Sequence, residues 1–253
     1  MNQENHLAAT GYLLEYQQEK YVEFSCSSVF ISPTVALTAA HCIRNKNNLC
    51  ITTIANQKEI LFEEPFMASQ IISSALEDER CRKVKPVSVH SRYLKEYKKF
   101  DKNDMALLEL EDKTRPVENF VPVSIQPHKK GERIQLAGYG YQNFFGHKKS
   151  IGFNYISEVK SSGKITIYSR YNGGGMILDI KDNAAGTRGD SGAPIFNEKG
   201  TAVIGLIKSG SLINPFLNRK QGHMTFGEDF SAETNLEFLK QINAQGYDVR
   251  FEN

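Results

Sequence analysis

The feature that most constrains the fold is a recurrence of short segments rich in β-branched and aromatic residues. They follow one another at intervals of about ten residues, bounded by Gly, Pro, Asn and Ser, a pattern typical of β-sandwiches and β-barrels. The segments are 21–24, 49–54, 87–90, 105–110, 133–137, 151–159, 164–169, 176–180, 193–196 and 203–207. Helical spacing occurs only near the end, where Leu236, Leu239 and Ile242 lie between a predicted N-cap at Ser231 and Gly246. The sequence therefore predicts an all-β fold with one C-terminal α-helix.

The chain has 253 residues, of which 40% are apolar, so it can form one large all-β unit or two small domains. Residues 111–131 contain three prolines among mostly polar residues. We therefore expect an N-terminal domain over residues 1–120 and a C-terminal domain over residues 121–253. The predicted helix, over residues 231–245, belongs to the second domain.

Charge and hydropathy exclude several classes of partner. The 31 Lys and Arg residues nearly balance the 29 Asp and Glu residues, for a net charge of +2. This balance argues against nucleic acid or an acidic membrane as an obligatory partner. The longest apolar run, residues 202–207, has the length of a strand, whereas a membrane span needs about 18 residues.

Four cysteines lie in the first third of the chain: Cys26, Cys42, Cys50 and Cys81. In an exported protein they would form two disulfides with three possible connectivities, and in the cytosol they would be free thiols. Because no C-x-x-C spacing is present, we expect no zinc site. No signal peptide is visible at the start. A removed peptide, another export route and an intracellular location stay open at this point.

Three short strings in a fixed order carry the chemistry. They are residues 38–42 (TAAHC), 103–108 (NDMALL) and 189–194 (GDSGAP). Each string alone is uninformative, since a lone His, a lone Asp before an apolar run and a Gly-Asp-Ser-Gly turn are all common. Together, with sequence separations of 63 from the His to the Asp and 87 from the Asp to the Ser, they indicate a catalytic triad.

The residue types match what acyl transfer by serine requires. A serine hydroxyl is a poor nucleophile at neutral pH and needs a base to accept its proton, which assigns Ser191 and His41. A buried carboxylate must orient the imidazole, which assigns Asp104. Backbone N–H groups must face the developing oxyanion, and the amides of Gly189 and Ser191 are placed to do so.

These strings resemble the chymotrypsin/trypsin-like serine protease family. The sixteen-residue spacing of Cys26 and Cys42 and the segments 87–93 (VSVHSRY) and 136–140 (LAGYG) resemble further parts of that family. The tail, residues 191–241, is most similar to the bacterial glutamyl-endopeptidase branch.

The resemblance covers residues 10–250 and implies two six-stranded antiparallel β-barrels with the triad in the cleft between them. It also implies that Cys26 pairs with Cys42, which leaves Cys50 to pair with Cys81. Closing a loop of the latter length contributes on the order of 3–4 kcal/mol. Since disulfides favour an oxidising compartment, we expect a secreted or periplasmic protein.

Two positions depart from the family pattern. In animal members the counterpart of Asp190 pairs with a freed N-terminal ammonium, but no Ile-Val-Gly-Gly or Val-Val-Gly-Gly segment is found upstream here. Asp190 must therefore find another partner, or the chain is a latent form. The family's Ser-Trp-Gly strand is matched by residues 208–210 (KSG). Lys208 either pairs with Asp104, which would lower the basicity of His41, or points outward.

The specificity pocket also departs from that of trypsins. Ala185 stands at its base where trypsins carry Asp, and burying an uncompensated substrate cation against Ala is costly. We therefore predict non-tryptic cleavage, with Gly186, Gly210 and Gly222 lining an open apolar pocket. Glutamyl specificity is the competing hypothesis, although residues 205–207 lack the His that this branch uses there. The polar residues that support it are Thr187, Lys208 and His223.

The sequence thus predicts a serine endopeptidase that hydrolyses protein or peptide substrates through an acyl-enzyme intermediate. We expect a monomer that needs no metal or cofactor and has no nucleic-acid or membrane partner. The alternative is a latent or catalytically inactive protease homologue that acts as a binding module.

Overall fold

Two sets of six antiparallel strands close on themselves in the computed structural model, which confirms the predicted all-β, two-barrel fold. The structure describes residues 5–17, 20–46, 48–53, 81–95, 103–142, 146–147, 149–170, 182–213 and 222–252. Closing a sheet into a barrel leaves no unpaired strand edge, so the backbone hydrogen bonds of each sheet are satisfied internally.

The first barrel has the strand order β1–β2–β3–β6–β5–β4. Its strands are β1 Thr10–Gln17, β2 Lys20–Phe30, β3 Val35–Thr38, β4 Leu49–Thr52, β5 Cys81–Val89 and β6 Ala106–Leu110. The neighbouring strands β3 and β6 are buried along their whole length. They fix the site because β3 ends just before His41 and β6 begins just after Asp104.

The second barrel has the order β10–β11–β14–β13–β12–β7. Its strands are β7 Arg133–Gly138, β10 Ser150–Lys160, β11 Lys164–Arg170, β12 Pro194–Asn197, β13 Val203–Ile213 and β14 Gly222–Asp229. A separate hairpin pairs β8 Tyr141–Gln142 with β9 Gly146–His147. Ser191 lies on the turn that leads directly into β12.

Three helices and one shared core complete the described fold. The helices are α1 Asn5–Ala9, α2 Ser91–Lys95 and α3 Glu233–Ala244, and a 3-10 turn spans Ala40–Cys42. One hydrophobic cluster joins Val29 and Leu107 of the first barrel to Phe196 and Leu206 of the second. Phe238 of α3 packs into the same cluster. The core therefore holds the two barrels together beneath the cleft.

The C-terminal helix exists but is shorter than the predicted 231–245. Ser231 is not its N-cap, because the N-cap position is Ala232, which makes no side-chain cap hydrogen bond. The Ser231 backbone N–H and hydroxyl both donate to Asp229 Oδ1 instead, at 2.9 and 2.8 Å. Gly246 follows the helix with a φ of 92°, a left-handed conformation that glycine adopts without steric cost.

The predicted segments omit three barrel strands: β1, β3 and β14. Strand β3 has only four residues, and β14 contains two glycines and two acidic residues, which strands disfavour. Tertiary pairing overrides these local preferences. The predicted strand 176–180 and the end of the predicted segment 49–54 lie outside the described residues.

Both predicted disulfides are present. Cys26 of β2 bonds to Cys42 of the 3-10 turn, and Cys50 of β4 bonds to Cys81 of the neighbouring β5. Residues 54–80, which the second disulfide encloses, are not among those described. No helix in the described ranges is long and apolar enough to span a membrane. The domain boundary between residues 120 and 121 stays a prediction.

Candidate functional site

His41 lies on the 3-10 turn that follows β3, where a buried strand and a disulfide fix the backbone. The next residue, Cys42, is covalently tied to β2 through Cys26, and its backbone N–H donates to Ala39 O at 3.1 Å. The imidazole nevertheless stays accessible, with 38% of its side chain exposed. The turn thus has little backbone freedom, and it leaves the imidazole of His41 accessible.

Asp104 holds His41 with both carboxylate oxygens. Oδ2 lies 2.6 Å from His41 Nδ1, and Oδ1 accepts the His41 backbone N–H at 2.9 Å. An ionised carboxylate can only accept hydrogen bonds, so Nδ1 carries the ring proton and Nε2 is free to act as a base. The pair therefore has the arrangement of an oriented general base.

The turn that presents Asp104 depends on the preceding residue. Asn103 has a φ of 62°, a left-handed conformation that asparagine tolerates better than most residues. Its side-chain oxygen accepts the Thr234 hydroxyl of α3 at 2.8 Å. The C-terminal helix thus anchors the turn that points Asp104 toward His41.

A buried ion pair lies behind Asp104. Lys208 Nζ is 3.0 Å from Glu228 Oε1, and the two side chains are 3% and 1% exposed. The same Glu228 oxygen accepts the Asp104 backbone N–H at 3.3 Å. Burial raises the pKa of Glu228, and the nearby ammonium partly offsets this effect. Lys208 therefore neither points outward nor forms an ion pair with Asp104, because its partner is a carboxylate that sequence reasoning missed.

Ser191 lies on a turn that the first barrel holds in place. Its carbonyl accepts the backbone N–H of Ser27 at 2.7 Å, and the Ser27 hydroxyl donates to Gly189 O at 2.9 Å. Gly189 and Gly192 have φ values of 102° and 81°, which allow the sharp turn. A Cβ on Gly192 would lie 2.3 Å from Ser27 O, so only glycine permits this approach.

The Ser191 hydroxyl donates to the Lys208 carbonyl at 3.4 Å rather than to His41. Ser191 and His41 are nonetheless neighbours, since Cys42 Sγ is 3.6 Å from Ser191 O and 3.7 Å from His41 Nε2. Within the described parts of the chain, the backbone amides of Gly189 and Ser191 donate to no protein acceptor. These two donors are therefore available to a bound oxyanion.

Sulfur close to His41 does not indicate a metal centre. The Cys26 and Cys42 sulfurs lie within 4.8 Å of a His41 ring nitrogen. Because both belong to one disulfide, neither is a thiolate that could bind a metal there.

Asp190 finds hydrogen-bond donors instead of a cation. The Thr187 backbone N–H and hydroxyl donate to Oδ2 at 2.8 and 3.2 Å, and the Gly140 N–H is a third donor. No described Lys, Arg or His lies within ion-pair distance. Burial therefore raises the pKa of Asp190 to about 6, although the donors oppose this shift.

The proposed pocket residues Ala185, Gly186 and Gly210 lie together on the second barrel. The Gly186 N–H donates to Thr225 Oγ1 at 2.8 Å, and a Cβ on Gly210 would lie 3.4 Å from Gly186 O. The His223 ring packs against Gly210, and burial lowers its pKa. Thr225 and His223 thus adjoin the predicted pocket residues, and only His223 was singled out from sequence.

Gly222 occupies a different position along the strand pair from Gly210, since it is opposite Ile213 and Gly210 is opposite Thr225. It begins β14 and packs against Tyr168 and the carbonyl of Ser169. Two of the residues that favour glutamyl specificity are engaged elsewhere, since Thr187 bonds to Asp190 and Lys208 pairs with Glu228. Of the three, His223 alone lies against the pocket.

The comparisons with known proteins agree with this architecture. The model of the Trypsin family matches residues 6–221, while no curated protein sequence matches the chain significantly. Neuropsin, a serine protease expressed in the limbic system of mouse brain, is 15% identical, with 96% of each chain covered and a TM-score of 0.59. Kallikrein-related peptidase 10 is 17% identical, with 95% of this chain and 98% of that chain covered and a TM-score of 0.58. A serine endoprotease from Yersinia pestis is 14% identical, with 99% and 68% covered and a TM-score of 0.56. At these identities the solved structures show a shared fold alone.

The buried Asp190 makes the stability of the folded chain depend on pH. Its pKa is about 6 in the fold against an ordinary value of 3.8, so the folded chain holds this proton more tightly than the unfolded chain does. The resulting stabilisation is fully present below pH 3.8 and is lost as the pH rises through 6, a total change of about 3 kcal/mol. Asp190→Asn removes the titration. Between pH 4 and pH 7, which span most of this change, we expect the wild type to lose about 2 kcal/mol more unfolding free energy than this variant.

Urea unfolding at a series of pH values measures this difference. Asp248→Asn, at an exposed aspartate, is the matched control and should follow the wild-type curve. Parallel curves for the wild type and Asp190→Asn would show that Asp190 is charged in the fold throughout this range.

Proposed function

We propose that this chain, which belongs to the trypsin family because the family model matches residues 6–221, is a serine endopeptidase with a triad of His41, Asp104 and Ser191. The observation that carries the proposal is the double contact of Asp104 with His41, at 2.6 Å to Nδ1 and 2.9 Å to the backbone nitrogen. A carboxylate that only served the fold would not need to fix the ring and the main chain of a partly exposed histidine together.

In this proposal Ser191 Oγ attacks the carbonyl carbon of the scissile peptide, and His41 Nε2 accepts the hydroxyl proton. The imidazolium then donates that proton to the leaving amine, which leaves an acyl-enzyme ester on Ser191. Water hydrolyses the ester by the same proton transfers in reverse. Asp104 stays ionised, keeps the proton on Nδ1 and stabilises the imidazolium.

The backbone amides of Gly189 and Ser191 hold the oxyanion during both steps. Before attack, the Ser191 hydroxyl leaves the Lys208 carbonyl, a contact of 3.4 Å at the long end of hydrogen bonding, and turns toward His41. This rotation moves one side-chain torsion, so it requires no rearrangement of the turn.

The pocket supports non-tryptic specificity. Ala185 carries no charge, and the nearest described neighbours of Gly186 and Gly210 are Thr225, Ile207 and His223, none of them a carboxylate. An apolar substrate side chain therefore fits better than Arg or Lys. The competing hypothesis is cleavage after acidic residues, as in the glutamyl-endopeptidase branch. His223 supports it, because its ring can donate a hydrogen bond to a substrate carboxylate. Burial lowers the pKa of His223 and so favours the neutral ring.

The setting of the enzyme is part of the proposal. Both disulfides lie within the first barrel, and such bonds persist in oxidising compartments. This supports a secreted or periplasmic enzyme. The substrate is a protein or peptide, and we propose that the enzyme acts as a monomer.

Covalent labelling tests the triad. A fluorophosphonate should form an adduct at Ser191 of the folded wild type, because phosphonylation uses the same base and oxyanion donors as peptide attack. Ser191→Ala should not label, and its kcat should fall by about 10⁶-fold. Ser161→Ala, at an exposed turn, is the control and should label like the wild type. Mass spectrometry of the peptides locates the adduct.

A wild type that is folded but not labelled would contradict the proposal and favour the inactive binding module. Labelling that begins only after N-terminal trimming would identify a latent enzyme.

Cleavage of a denatured proteome tests the pocket. We expect new peptide ends to be enriched after apolar residues and not after Arg or Lys, because no described carboxylate balances a cation there. Enrichment after Glu would support the acidic alternative. Ala185→Asp is the matched variant, and it should shift cleavage toward Arg and Lys. Cleavage by the wild type mainly after Arg or Lys would refute this account of the pocket.

A further inference from the structure

Lys208 contacts one end of the proposed triad directly and is linked to the other end through Glu228. Its backbone carbonyl accepts the Ser191 hydroxyl at 3.4 Å. Its ammonium binds the Glu228 carboxylate at 3.0 Å, and that carboxylate accepts the Asp104 N–H at 3.3 Å. One residue therefore links the nucleophile to the backbone of the acid.

A bulge in the sheet turns Lys208 inward. The pairing of β13 with β14 shifts register between Ile207 and Ser209, which leaves Lys208 as the extra residue. Bulges interrupt the ladder and redirect a side chain. Here the redirected side chain is 97% buried, beside Glu228 on the neighbouring strand.

Stability alone does not account for this pair. Removing two charges from water costs several kcal/mol per ion, and apolar replacements of buried ion pairs are often neutral or stabilising. Glu228 Oε2 also accepts a hydrogen bond from Asn235 Nδ2 of α3 at 3.5 Å, so the helix holds this carboxylate in place as well. The ion pair therefore places buried charge directly behind Asp104 of the proposed triad.

The three linked charged groups behind His41, which are Asp104, Glu228 and Lys208, sum to one negative charge. Asp104 and Glu228 each contribute a carboxylate, and Lys208 cancels one of them. The other polar groups close by are uncharged: Asn103, Thr234 and Asn235. Asp229 is a further buried carboxylate, but its side chain accepts the Ser231 N–H and hydroxyl and not a group of Asp104 or Lys208. His90 is bonded to the Thr234 carbonyl, and burial lowers its pKa.

We infer that Lys208 and Glu228 are positioning residues of the triad, an inference that rests on the proposed function. Glu228 fixes the backbone of Asp104, and Lys208 neutralises Glu228. Asp104 then supplies the single negative charge that balances the His41 imidazolium. While Glu228 is ionised, removal of Lys208 leaves two negative charges behind the base, and removal of Glu228 leaves a buried cation there.

The test compares Lys208→Met, Glu228→Gln and the double variant. NMR titration of the His41 imidazole in a Ser191→Ala background reads the effect without requiring activity. We expect the His41 midpoint to rise by about one pH unit in Lys208→Met and to fall by about one in Glu228→Gln. The double variant, with no buried charge left unpaired, should fold and return to the starting midpoint.

In the active enzyme, the acid limb of the plot of kcat/KM against pH should move to higher pH in Lys208→Met and to lower pH in Glu228→Gln. Lys113→Met removes an exposed lysine from its ion pair with Glu109, which keeps Lys85 as a partner, and should move neither quantity. A merely structural role would lower activity in both single variants without opposite shifts. Unchanged His41 midpoints in the single variants, or shifts of the same sign, would overturn the inference. The proposed function fails separately, if the wild type neither labels nor hydrolyses peptides.

Discussion

The seam between the barrels is the constraint on which the site depends. Ser27 on β2 donates its backbone N–H to Ser191 O at 2.7 Å and its hydroxyl to Gly189 O at 2.9 Å, so the first barrel shapes the turn of the second. Gly192 permits this approach, because any Cβ there would collide with Ser27 O. His41 and Asp104 come from the first barrel and Ser191 from the second. The candidate triad therefore depends on the relative position of the two barrels.

Buried charge forms a second layer behind that seam. Asp104 is tied to His41 on one side and, through its backbone, to Glu228 and Lys208 on the other. Asp190, under the nucleophile turn, relies on neutral donors, and its raised pKa reflects this. Asp104 and Asp190 thus differ in their partners. Asp104 lies beside an imidazole, whereas Asp190 is buried among neutral donors.

Local sequence predicts the parts of the site that sit on short motifs. The strings around His41, Asp104 and Ser191 adjoin buried strands, and the disulfide pairing followed from family resemblance. The partners that are distant in sequence could not be predicted, because strand register determines which side chains meet. Asp104 and Glu228 are 124 residues apart, and β14 has too few strand-favouring residues to be predicted. The inward turn of Lys208 depends on a bulge, which no local pattern in the sequence reveals.

The tautomer of His41 tests the central claim most directly. If Asp104 orients the base, ¹⁵N NMR of the folded protein above the His41 titration should show a protonated Nδ1 and an unprotonated Nε2. Asp104→Asn can offer its amide N–H to Nδ1 and should move the ring proton to Nε2. A wild-type ring protonated at Nε2, or a tautomer unaffected by Asp104→Asn, would contradict the account.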